Sequence, residues 1–171
     1  MNATAHPKTA LRPYLPSDAP FLADIFRASI EELTGDDYSQ EQQEAWAATA
    51  DDLTEFAVRL GARLTLIATM GGSAVGFAAL EGADKIDMLY VHPAVAGHGI
   101  GKLLLDALEK LATSRGAAKL TVEASDSASG FFQHRGFVAQ TRNSVLRGDE
   151  WLANTTMEKK LAAAAPGKPT S

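Results

Sequence analysis

Apolar positions along the chain change period several times, and each change marks an element. A short run from Thr9 to Pro13 predicts a strand. Phe21, Leu22, Ile25, Phe26, Ile30 and Leu33 then recur at helical spacing, with Ser17 ahead of them as the expected cap. Ser39 and Gln42 have capping-box spacing, so a second helix is predicted from Ser39 through Trp46, and a third covers roughly Asp51 to Leu60. The period then falls to that of strands. Arg63 to Thr69 and Ala74 to Leu80 predict a hairpin around Gly71-Gly72. Lys85 to Val91 predicts a further strand, stopped at His92-Pro93 because proline cannot donate to a ladder and His92 shapes the turn.

Helical spacing returns after Gly101. Leu103, Leu104, Ala107, Leu108 and Leu111 share one face, with Lys102, Asp106, Glu109 and Lys110 outside it and Gly116 as the stop. Lys119 to Glu123 predicts a strand, Ala128 to His134 a short helix before Gly136, and Phe137 to Leu146 and Trp151 to Leu161 two closing strands. This order predicts a single α/β (α+β) domain over residues 9–161, with a mixed, mostly antiparallel sheet flanked by helices and one strand–helix–strand crossover. Residues 1–8 and 162–171 have too little apolar area to offset chain entropy and are expected to be flexible.

Charge and composition narrow the function classes. Sixteen Lys+Arg against 21 Asp+Glu leave a net charge of −5 on 171 residues, the wrong sign for a phosphate-backbone binder, so no nucleic-acid partner is expected. Cysteine is absent, which removes disulfides, zinc-thiolate sites and a Cys nucleophile, and fits a reducing cytoplasm. No metal site is expected. The chain has no apolar run of ~18 residues and no secretory leader pattern, so the expectation is a cytoplasmic protein without a membrane partner.

The segment Gly97-His98-Gly99-Ile100-Gly101-Lys102 lies between a predicted strand and a predicted helix, where backbone N–H groups at the positive end of a helix suit a phosphate or pyrophosphate. A glycine turn with no ligand is the alternative. A P-loop is ruled out by spacing and by Leu103 after Lys102, where Ser or Thr is needed for magnesium. A dinucleotide fold would use Glu123 as its ribose carboxylate, but the third glycine comes one residue early and only about 70 residues follow Gly101.

Asp87-Met88-Leu89-Tyr90-Val91-His92-Pro93, then Gly97 to Gly101 with the leucine-rich helix, then Ala128 and Phe131-Phe132 before Gly136-Phe137, resembles the GCN5-related N-acetyltransferase (GNAT) family over roughly Leu11 to Leu161. The resemblance implies transfer of an acetyl group from acetyl-CoA directly to a primary amine of a small molecule or peptide. The main chain of Leu89, Tyr90 and Val91 would hold the pantetheine arm, one N–H near Leu89 would stabilise the oxyanion, and Gly97, His98, Gly99, Ile100, Gly101 and Lys102 would hold the pyrophosphate. Direct attack also fits a chain with no cysteine to carry the acyl group. The resemblance also leaves room for a homodimer, because the final strands are often dimer surfaces in this fold.

An alkylamine with a pKa near ~10 needs a base. Asp87 is the first candidate, expected on the same face as Leu89 with a pKa raised by burial, and Glu81 is the second, with a solvated strand-end carboxylate as its alternative reading. Tyr38 and Trp46 are candidate walls of the acceptor pocket, although Trp46 would equally serve as a core anchor. Arg142, Asn143 and Trp151 are further residues in reach of such a pocket, and Asp36 and Asp37 would attract a cationic amine, although a polar loop is their default reading. Two positions depart from the family pattern. Ala96 stands where Arg or Gln is usual, with His98 and Lys102 as nearby polar substitutes, and Phe132 stands where many relatives carry a tyrosine that protonates the departing thiolate. The second departure keeps open a catalytically weak CoA-binding sensor or interaction module of the same fold.

Overall fold

The computed structural model describes residues 8–162. The terminal segments expected to be flexible lie outside that range, apart from Lys8 and Ala162. Seven strands form one sheet: β1 (Thr9–Pro13), β2 (Leu64–Met70), β3 (Ser73–Glu81), β4 (Lys85–Val91), β5 (Lys119–Ser125), β6 (Val138–Arg147) and β7 (Glu150–Lys160). Their order is β1-β2-β3-β4-β5-β7-β6. Every neighbouring pair is antiparallel except β4 and β5, which are joined by the crossover helix α4 (Ile100–Ser114). Helices α1 (Ala19–Leu33), α2 (Gln40–Ala47) and α3 (Leu53–Gly61) precede the central strands, and α5 (Ser129–His134) follows β5.

The sheet separates two apolar cores. Leu22, Phe26, Ile30, Phe56 and Leu60 of α1 and α3 pack on Phe77, Ala79 and Met88. Leu104, Leu105 and Leu108 of α4, with Phe132 and Phe137, pack on Ala78, Leu80, Ile86 and Val122. Strand β3 is covered on both sides, so Gly76 to Leu80 are all buried and read as a continuous run of small and apolar residues.

Local chemistry explains where the elements start. The α2 box forms as predicted: Ser39 Oγ accepts from Gln42 N at 3.1 Å and Gln42 Oε1 accepts from Ser39 N at 2.8 Å. The expected cap at Ser17 does not form. Ser17 lies in a 3-10 turn, Pro16–Asp18, and Asp18 organises the entry to α1 instead. Its carboxylate accepts from Leu15 N at 2.8 Å and from Arg12 at 2.7 and 2.8 Å.

Two helical faces are rotated from their predicted positions. Phe21 and Leu33 on α1 are 62% and 44% exposed, and the buried stripe runs through Ala19, Leu22, Ala23, Phe26 and Ile30. On α4 the fully buried leucines are Leu104, Leu105 and Leu108, while Leu103 and Leu111 are only half-buried. A run of three leucines leaves the helix phase open, and contact with the sheet selects it.

Candidate active site

β4 and β5 pair at only two positions, Lys85↔Thr121 and Ile86↔Val122. Beyond Ile86, β4 follows β3 as far as Val91, and β5 follows β7 to Ser125, so the two neighbours part and a cleft opens between them. An irregularity in β4 sits at the point of divergence. Ala79 faces Met88 and Leu80 faces Ile86, which leaves Asp87 as an extra residue with no partner on β3. Such a bulge bends and twists its strand. The cleft has a volume of about 340 Å³, the size of a small-ligand pocket.

Antiparallel pairs alternate between those that exchange backbone hydrogen bonds and those that do not. His92 N donates to Val75 O at 2.8 Å, so the hydrogen-bonded positions continue at Tyr90 with Phe77 and Met88 with Ala79. The N–H and C=O groups of Leu89 and Val91 therefore point away from β3, into the cleft. The predicted triplet is thus divided: Leu89 and Val91 present main chain, whereas Tyr90 has its main chain engaged with β3.

The loop before α4 lies beside this edge. Gly97 and Gly99 have φ of 82° and 81°, a region that glycine enters without strain, and Gly99 is the N-cap. The first intrahelical bond runs from Leu103 N to Gly99 O, so the amides of Ile100, Gly101 and Lys102 precede it. A Cβ on Gly101 would lie 3.1 Å from the Phe131 ring, so glycine permits α5 to close on the start of α4. Gly101 lines the cleft; Gly97, His98, Gly99 and Lys102 are exposed, and Ile100 is buried in the α4 core. His98 turns back on its own loop, with Nδ1 at 3.1 Å from the carbonyls of Val95 and Ala96. The Lys102 ammonium pairs with Asp106 at 2.8 Å. His92 shapes the turn as predicted, its Nδ1 accepting from Ala94 N at 3.0 Å.

On the other side of the sheet the cleft is aromatic. Tyr38 and Trp46 meet edge to face with centroids 5.4 Å apart, Trp46 lies 6.4 Å from Tyr90, and Phe26 lies 4.7 Å from Tyr90. The buried Tyr38 hydroxyl donates to Ala153 O at 2.6 Å and accepts from Asp126 N at 2.9 Å, tying the segment before α2 to β7 and to the end of β5. Burial pushes the Tyr90 hydroxyl up to about 12, against the Trp46 indole and the charge of Arg59, which pull it down. Tyr90 is therefore a neutral phenol at working pH.

Asp87 departs from expectation in two ways. The bulge turns its side chain to the α3 side, where Arg59 and Arg63 bind it, while Leu89 packs on the α4 core. Burial does push its carboxyl up, but hydrogen bonds and charge from Arg59 and Arg63 outweigh that effect and hold it below the usual carboxylate value. Glu81 does not line the cleft; it lies at the end of β3, 3.7 Å from Arg63. Arg142, Asn143 and Trp151 are also outside the lining. Arg142 pairs with Asp126, Asn143 bonds Asn154 and Thr156, and Trp151 is 59% exposed. Asp36 and Asp37 are exposed and outside it too, and Asp37 accepts from Ser127. Phe132 does line the cleft, packed between Phe131 and Phe137 with both centroids at 5.2 Å and no hydroxyl to offer.

Four charged lining residues escaped the sequence reading as parts of an acceptor site: Arg59, Lys85, Glu123 and Arg147. For Glu123 the signal was present, because Leu120, Val122 and Ala124 are buried and alternate with the polar Thr121, Glu123 and Ser125. Arg59 and Arg147 carried no such signal, since their position depends on how α3 and the β6–β7 hairpin pack.

A family profile described as Acetyltransferase (GNAT) domain matches residues 34–161. The chain is 30% identical over 151 residues to the uncharacterized N-acetyltransferase YafP of Escherichia coli K12, covering 88% of this chain and 95% of that one. A crystal structure of a GCN5-related N-acetyltransferase from Rhodopseudomonas palustris is 61% identical, superposes with a TM-score of 0.89, and covers 94% of this chain and 100% of its own. The PaiA N-acetyltransferase from Thermoplasma acidophilum, solved with coenzyme A, shares the fold at 21% identity and a TM-score of 0.74, covering 90% of this chain and 99% of its own. Among the described residues no helix is long and apolar enough to cross a membrane. This chain, with a parallel strand pair that parts beside a glycine-capped helix, belongs to the GNAT family as an acetyl-CoA-dependent N-acetyltransferase.

Proposed function

We propose that the chain acetylates a primary amine of a small molecule or peptide, with acetyl-CoA lying along β4 and the amine entering from the Tyr38–Trp46 side. The observation that carries this reading is the divergence of β4 from β5, which leaves the Leu89 and Val91 main chain free beside the start of α4. The cleft fits the co-substrate on its own geometry: it has backbone donors and acceptors along one edge, and a Cβ placed on Gly97 or Gly99 would meet nothing within 4 Å. Acetyl-CoA, when bound, supplies an acetyl group activated as a thioester.

The remaining work falls to the chain. Leu89 N–H donates to the thioester carbonyl oxygen and holds the charge that grows there, and Val91 engages the pantetheine arm through its main chain. The amides from Gly97 to Lys102 hold the pyrophosphate at the positive end of α4, which lets an anionic molecule bind a chain of net charge −5. Trp46 and Tyr38 wall the acceptor. Asp87, already bound to two guanidinium groups, orients Arg59 and is a poor base. Glu123, whose carboxylate lies 3.8 Å from Lys85 and lines the cleft, takes the amine proton directly or through one water. With Phe132 in the cleft wall, the departing thiolate, with a pKa near ~8.5, takes its proton from water.

Incubation with acetyl-CoA and a panel of primary amines, followed by release of free CoA thiol, tests the reading. Turnover with at least one amine is expected. CoA binding without turnover of any acceptor would leave the chain as a CoA-binding module.

A further inference from the structure

The acceptor side of the cleft carries an uncommitted cation. Arg59, Lys85 and Arg147 line the cleft against two carboxylates, Asp87 and Glu123. Asp87 takes Nε and Nη2 of Arg59, and Glu123 faces Lys85. Arg147 is left over: its one hydrogen bond is from Nη1 to the adjacent Leu146 carbonyl at 3.0 Å, and among the described residues no carboxylate lies within 4.0 Å of it. It is half-buried at the end of β6, where the β6–β7 turn packs on α2, a Cβ on Gly148 lying 3.7 Å from Ala45. Tyr90, Trp46 and Arg147 all line this one cleft.

A guanidinium half-buried in a cleft with only its neighbouring carbonyl as partner is a ready site for a carboxylate or phosphate, which it binds through parallel N–H donors. The phosphates of CoA are not that ligand, because the glycine loop starts α4 on the opposite side of the sheet from Tyr90 and Trp46. We propose that the acceptor is an amine that also carries an anionic group, a carboxylate or phosphate, and that Arg147 is the residue that selects it. This rests on the acetyltransferase reading of the same cleft. The charge pattern argues against polyamines, whose additional ammonium groups would face Arg147.

Matched amines test the proposal: 4-aminobutanoate against 1-aminobutane, and phosphoethanolamine against ethanolamine, each with wild type, Arg147→Gln and Arg147→Lys. Wild type is expected to prefer the anionic member of at least one pair by about ten- to a hundredfold in kcat/KM, the scale of a charge-assisted hydrogen bond. The pair that shows it separates a carboxylate from a phosphate. Arg147→Gln brings the ratio towards one and Arg147→Lys keeps part of it. A ratio unchanged by Arg147→Gln, or a preference for neutral or polycationic amines, overturns the proposal.

A binding measurement keeps the test independent of turnover. Trp151→Phe leaves Trp46 as the sole tryptophan of the two in the chain, and its quenching reports binding of N-acetylglycine and of N-acetylglycinamide. Tighter binding of the acid, lost in Arg147→Gln, supports the anion site even if no amine is acetylated, in which case it is the acetyltransferase reading that falls. Equal binding of acid and amide overturns the anion site.

Discussion

Arg59 holds Asp87 through two parallel hydrogen bonds, Nε to Oδ2 at 3.0 Å and Nη2 to Oδ1 at 2.9 Å, and Arg63 adds a third at 3.1 Å. The Asp87 side chain is only 13% exposed, so its charge depends on these partners. A carboxyl whose pKa is depressed in the folded state adds stability above its unfolded value of about 3.9 and loses it as pH falls through the folded value. Asp87→Asn is expected to cost about 1–3 kcal/mol at pH 7, with the gap to wild type shrinking once pH drops below about 4. Urea midpoints at pH 7 and pH 3 read this directly, and an equal gap at both would mean that the ion pair is not the source.

In the proposed mechanism the same pair separates the roles of Asp87 and Glu123. Glu123→Gln is expected to lower kcat by at least about a hundredfold, the size usual for a general base. Asp87→Asn is expected to act mainly through KM for the acceptor, because it frees Arg59. The reverse assignment of effects would return Asp87 to the place of base.

Gly99 sits at φ 81° as the N-cap of α4. Gly99→Ala forces an L side chain into the left-handed region at a cost of about 1–2 kcal/mol. If the loop relaxes to avoid this cost, its amides turn, so weaker binding of CoA by calorimetry is expected together with a lower urea midpoint. CoA affinity equal to wild type would show that the loop is not the pyrophosphate site.

Tyr38 reaches both Ala153 and Asp126 through one hydroxyl. Tyr38→Phe leaves a carbonyl and an amide without their partner, a loss of about 1–3 kcal/mol. Because the bridge holds the proposed acceptor wall in place, KM for the amine should rise while KM for acetyl-CoA stays close to wild type. Equal changes in both would make Tyr38 a general stability residue.

Phe132 lines the cleft within a cluster of three phenyl rings. If the thiolate leaves as an anion, Phe132→Tyr should change kcat by less than about threefold. A larger gain would show that protonation of the leaving group limits the reaction.

The periodicity of apolar residues was enough to place every strand and helix within a few residues, because each element is long enough to repeat its own period. Glycine spacing marked the loop before α4, and the resemblance to the GNAT family pointed to the Leu89–Val91 strand and to the two aromatics, Tyr38 and Trp46, that meet in the cleft. Asp87 shows where that reasoning stops. Alternation along a strand assumes an unbroken register, and one extra residue between Ile86 and Met88 turned the carboxylate to the other face, where two arginines wait.

The chain itself determined the class of fold, the glycine turn before α4 and the absence of an acyl-cysteine route, since these follow from local spacing and residue type. Tertiary structure alone decided the ion pairing of Asp87, the place of Glu81 outside the cleft lining and the arrival of Arg59, Glu123 and Arg147 at one cleft. The reason is that charge interactions fall off within a few ångströms and depend on partners from distant segments. Arg147 lies 88 residues from Arg59 in the chain yet lines the same pocket, and no local pattern encodes that meeting.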